Sequence, residues 1–156
     1  MVAFVISLML HTLAAVVWVG GLFFVHYTLL PSLDGIDRNE RFTVLARVVP
    51  VFVRWVWASI VVILVTGYGV LLLGYRGGIG GGGIHIDIMQ ALGLIMIALF
   101  GYMDLFPWRL FLRARAAGEL DKAESRLGTV RFLIGITLIL GLITAAVGAT
   151  GSLWAN

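Results

Sequence analysis

Four apolar runs, roughly residues 3–30, 51–75, 84–106 and 129–154, leave this chain few folds to choose from. Each is long enough to cross a bilayer as a helix, which takes ~20 residues. None shows the polar–apolar alternation of a membrane barrel strand. Only 12% of the 156 residues are charged, about half the ~25% usual in a soluble domain, so water is not the only solvent. The first run has no basic segment before it and is too long for a cleaved signal peptide, so it reads as a transmembrane helix. The expectation is an all-α membrane protein: one four-helix bundle over residues 1–156, with no internal repeat and no separate soluble domain.

Orientation follows from the charges. Ten of the eleven Lys and Arg residues fall in segments 31–54 and 107–131, and only Arg76 lies between the second and third runs. The positive-inside rule then puts loops 31–50 and 107–128 in the cytoplasm and both termini outside the inner (cytoplasmic) membrane. Two short basic blocks make no continuous stripe for a phosphate backbone, so nucleic acid is not an expected partner. Pro31 should close the first helix, Pro50 open the second and Pro107 close the third. Phe42, Leu45, Ala46 and Val49 recur at helical spacing, which predicts a short interfacial helix with its apolar face on the membrane. Arg54 and Arg131 should snorkel to lipid head groups. Gly135, Gly141 and Gly148 in the fourth run predict close helix packing.

Ionisable groups at membrane depth are costly and therefore mark function. All three histidines, His11, His26 and His85, lie in or beside the apolar runs. His11 is 20 residues before Pro31 and His85 is 22 before Pro107, so at ~1.5 Å per residue their depths differ by only ~3 Å. If the first and third helices meet, these two imidazoles would clasp one ligand near the outer face. His26 lies ~22 Å deeper and cannot share it. Two facing histidines suit a b-type haem. Small residues (Ala14, Ala15, Gly20, Gly21, Ala91 and Gly93) would make room for the macrocycle, and Arg76 would pair with a propionate. The competing site is His11, His85 and Met89 around Cu(I), since imidazole and thioether are soft ligands. Met89, Met96 and Met103 are otherwise packing residues, and Asp87 caps the third helix. The absence of cysteine excludes disulfides, iron–sulfur clusters and thiolate metal sites. No nucleophile–base pair and no phosphate-binding loop is visible, so any chemistry must come from a cofactor.

The stretch "LHTLAAVVWVGGLFFVHYTLLPSL" resembles the first helix of small membrane proteins of the copper resistance protein D (CopD) family, and the pattern is also similar to the HemJ type of protoporphyrinogen oxidase. The resemblance continues through "FVRWVWASIVVILVTGYGVLLL", "IHIDIMQALGLIMIALF" and "GLITAAVGATG". It implies a four-helix membrane fold with an outer histidine site, copper handling on the CopD side and haem b on the HemJ side. The HemJ pattern falls on His11 and His85. Asp87 stands where HemJ-like sequences carry a lysine, a reversal of charge that argues against porphyrinogen oxidation. The leading expectation is a haem b redox protein with His11 and His85 as ligands. It would exchange electrons with a membrane partner, or oxidise a lipid-soluble or porphyrin substrate, as a monomer or homo-oligomer. Copper binding through His11, His85 and Met89 is the alternative, and a cofactor-free structural subunit a third.

Overall fold

In a computed structural model, which describes residues 2–74 and 83–153, the chain forms four long helices packed as a bundle. They are α1 (Val2–Ser32), α2 (Arg38–Gly74), α3 (Ile84–Ala116) and α4 (Leu120–Thr150), each long and apolar enough to span a membrane. A 3₁₀ turn, Gly151–Leu153, follows α4. The segment 75–82, which holds Arg76 and the glycine run, lies outside the described residues.

The helices are longer than the apolar runs at the basic end. Pro50 does not open α2 but lies inside it, and the backbone is helical from Arg38 onward. A proline within a helix loses a hydrogen bond and crowds the carbonyl four residues back, so something must hold the preceding turns. That something is burial: Phe42, Leu45 and Val49 all belong to the core. The Phe42 ring meets Phe111 of α3 edge-on, 5.2 Å between centroids. The spacing that predicts an interfacial helix therefore marks an amphipathic extension of α2 whose apolar face packs on α3, not on lipid.

The other two prolines sit at π turns. In α1, Val25–Leu29 is a π turn just before Pro31, closed by the Leu30 N–H donating to the Val25 carbonyl. In α3, Pro107 lies within the π turn Asp104–Trp108, and the helix continues as Arg109–Ala116 instead of ending. A wider turn inserts one residue and so relieves the clash a proline makes in a regular helix. Gly118, at φ +73, ends α3. Glu119 N–H reaches back to the Ala114 carbonyl and Gly118 N–H to that of Arg115, a Schellman stop that turns the chain into α4. At the start of α2, Asp37 accepts the Asn39 N–H at 2.8 Å and so caps the helix.

α1 packs chiefly on α2, α3 on α4, and α1 also touches α4. α2 and α3 meet mainly through long side chains: Tyr68 with Gln90, Trp57 with Asp104, Phe42 with Phe111. At mid-depth, Phe100 of α3 receives edge contacts from Trp18 of α1 and from Phe52 and Trp57 of α2. The core is concentrated toward the basic end. Among the described residues, no α1 residue before Ala14 and no α3 residue before Met96 is buried. The basic end is also stitched by charge. Arg38 pairs with Asp121 at 2.8 Å, Arg41 with Glu124 and Asp34, and Arg131 with Asp34 at 3.4 Å. Arg131 is thus held to the α1–α2 loop and does not simply reach for lipid, because Asp34 stands within its reach.

Candidate functional site

His11, His85, Met89 and Gln90 lie toward the end of the bundle opposite the paired arginines and carboxylates. His11 sits on α1 one turn before Ala14, on the face turned to α2. Its Nδ1 lies 3.1 Å from the Ile63 carbonyl oxygen and 3.1 Å from Thr66 Oγ1. The tautomer follows from the partners. A carbonyl oxygen only accepts, so Nδ1 must carry the hydrogen. Thr66 already donates its own hydroxyl hydrogen to the Val62 carbonyl at 2.6 Å, which leaves it as a second acceptor. Nε2 of His11 is then the nitrogen with the free lone pair, the arrangement by which a ligating imidazole is oriented from behind.

Glycine makes this possible. A Cβ on Gly67 would stand 3.0 Å from His11 Cε1 and 3.3 Å from Nδ1, so the ring lies directly on that glycine. The other two histidines are seated in the same way. His26 rests on Gly135 of α4, where a Cβ would come within 3.0 Å of its Cε1. His85 lies so close to Gly151 that any Cβ there would overlap the ring. The α4 glycines thus act as notches for side chains of neighbouring helices. Gly148 receives Met89, and Gly141 receives both Val19 and Met96. The pairs 85/151, 89/148 and 96/141 run in opposite directions along α3 and α4, as antiparallel neighbours must.

These seats divide the residues singled out from sequence. His85 and Met89 lie one turn apart on the face of α3 that packs on α4. His11 is held by α2. The two groups therefore belong to different helix pairs, α1–α2 and α3–α4, and α1 reaches α3 through the Trp18–Phe100 contact at mid-depth. Arg76 lies outside the described residues. Asp87 is exposed in the first turn of α3, where it favours the helix dipole. Met96 and Met103 are buried packing residues. His26 occupies the π turn of α1, and its buried Nδ1 has no partner among the described residues. Among the described residues, no group of three or more His, Asp or Glu is placed to hold a metal ion.

Sequence reasoning passed over two polar bridges between α2 and α3. Gln90 Nε2 donates to Tyr68 Oη at 2.8 Å, and Trp57 Nε1 donates to Asp104 Oδ2 at 3.2 Å. Gln90 and Asp104 both fall in the third apolar run, and a polar group at that depth is itself the signal that a partner faces it. The buried indole N–H of Trp18 has no partner among the described residues. Comparison of the chain with protein-family models, with curated proteins and with solved structures gives no match.

Proposed function

We propose that this chain is a redox protein of the cytoplasmic membrane that binds a b-type haem in the outer half of its bundle, with His11 and His85 as axial ligands. The observation that carries the reading is the tautomer of His11: the Ile63 carbonyl and Thr66 hold Nδ1, which leaves the Nε2 lone pair as the one that would ligate. The sequence resemblance to CopD and HemJ proteins supports it, as does the partial or full exposure of the described residues of α1 before Ala14 and of α3 before Met96. His85, seated on Gly151 in the other helix pair, would have to turn from α4 toward His11 to serve as the second ligand. Two neutral imidazoles are a donor set that a bis-histidine haem takes, and no carboxylate cage is required. When bound, haem would supply one-electron chemistry that none of the chain's own side chains offers. The positive-inside rule supports an outer position for this site, and Arg76 is the sequence's candidate partner for a propionate.

A second reading, Cu(I) held by His85 and Met89 with His11, is favoured by the placing of His85 and Met89 on one face, one turn apart. An absorption spectrum of the detergent-purified protein, before and after dithionite, separates the two. Haem predicts a Soret band with α and β bands that sharpen on reduction, lost in His11→Ala and retained in His26→Ala and Met89→Leu. Copper predicts no such bands and metal content that falls in Met89→Leu.

A further inference from the structure

At the basic end, the arginines divide by what answers their charge. Arg38, Arg41 and Arg131 each pair with a carboxylate. Arg47, Arg54, Arg109, Arg113 and Arg126 are exposed and, among the described residues, in no ion pair. Arg115 belongs to neither group. It is half-buried, yet among the described residues no carboxylate lies within ion-pair distance. Its Nη2 donates to Thr43 Oγ1 at 3.1 Å, and Thr43 gives its own hydrogen to the Asn39 carbonyl at 2.7 Å. The hydroxyl is thereby fixed as an acceptor that holds the guanidinium. A guanidinium has five N–H donors, so this one bond leaves most of them unused.

Arg115 lines a cavity of about 480 Å³ together with Asn39, Thr43, Ala116, Gly118 and Leu120. The Asn39 side-chain amide makes no hydrogen bond among the described residues and adds a neutral donor. The positive φ of Gly118 turns the chain sharply at the cavity wall. A neighbouring depression shares Asn39 and Thr43 but is also lined by Glu40, so the side nearer Arg115 is the one that suits an anion. Segments 31–54 and 107–131 together carry ten basic and six acidic residues, which gives the whole end a field that draws anions in.

We infer that this cavity binds a small phosphate-bearing molecule from the aqueous phase, with Arg115 as the phosphate fork and Asn39 as a second donor. Arginine's planar donors match a tetrahedral oxyanion bidentately. Arg115 lies thirteen residues past the exposed Tyr102, ~20 Å further along the helix, beyond the level at which exposed aromatic side chains mark the interface. That depth favours a dissolved ligand over a lipid head group. The volume falls in the ~300–1,000 Å³ range of small-molecule sites, so the phosphate would be one end of a larger molecule.

Inorganic phosphate is the probe. Thermal unfolding of the full chain in an uncharged detergent is titrated with sodium phosphate and, at matched ionic strength, with sodium chloride. The expected result is a saturable rise in Tm specific to phosphate, lost in Arg115→Gln and weakened several-fold in Arg115→Lys, whose point charge cannot bridge two oxygens. Should Arg115→Gln not fold, Arg115→Lys and Asn39→Ala carry the comparison. An equal response in wild type and variants, or no excess over chloride, overturns the site. Displacement of phosphate by dihexanoyl phosphatidylglycerol at a lower concentration than phosphate itself overturns the assignment to a dissolved ligand.

Discussion

Gly67→Ala adds one methyl group at the back of His11, and the structure sets what that methyl meets. The new Cβ would lie 3.0 Å from His11 Cε1 and 3.3 Å from Nδ1, closer than ordinary carbon contact. A free side chain would swing away at little cost. This ring is tied to the Ile63 carbonyl and to Thr66, so retreat lengthens both hydrogen bonds. Losing a typical hydrogen bond costs about 0.5–1.5 kcal/mol, and overpacking a tight site about 1–3 kcal/mol. Alanine recovers about 1 kcal/mol of helix propensity over glycine. The net expectation is a destabilisation of about 0.5–3.5 kcal/mol. Gly69, two residues along the same helix, is the internal control, because a Cβ there meets nothing within 4 Å. Gly69→Ala should be neutral or up to about 1 kcal/mol more stable. Equilibrium unfolding of both variants in mixed micelles, with the midpoints compared, reads the difference. Equal stability of the two would show that the His11 ring is not pinned, and the tautomer argument would fall with it.

Phe42→Ala should cost about 3–5 kcal/mol, as expected for emptying a fully buried aromatic site; a loss below about 1 kcal/mol would instead fit a residue lying on lipid. Arg41 has a side chain only 16% exposed between Asp34 and Glu124, and Arg41→Ala should cost about 1–2 kcal/mol, since both carboxylates are half in solvent. That loss should shrink in 1 M salt, where charges are screened within ~3 Å; a salt-independent loss would assign the effect to packing of the side-chain stem.

The four spans and their apolar character are legible from hydropathy alone, because backbone satisfaction in lipid leaves so few choices. The helix ends are not. Pro50 and Pro107 read as boundaries by their chemistry, yet buried partners hold α2 together through Pro50, and a π turn carries α3 past Pro107. The spacing of Phe42, Leu45 and Val49 reveals an apolar face but not whether lipid or another helix covers it, since both are equally apolar. The histidines stand out at membrane depth for the cost of placing them there. Their partners do not, because one helical phase decides whether His11 turns to α2 or to α3, and depth matching says nothing about phase. The glycines of α4 are readable as sites of close packing, but the identity of each occupant, His26 on Gly135 or Met89 on Gly148, depends on register between helices far apart in sequence.

The proposed function requires His11 and His85 to ligate one haem. Electron paramagnetic resonance of the oxidised, haem-loaded protein tests it most directly, because two imidazole ligands make ferric haem low-spin. The account predicts a low-spin signal in the wild type that becomes high-spin in both His11→Ala and His85→Ala and is unchanged in His26→Ala. A low-spin signal that survives the loss of His85, or folded protein that takes up no haem at all, would contradict it.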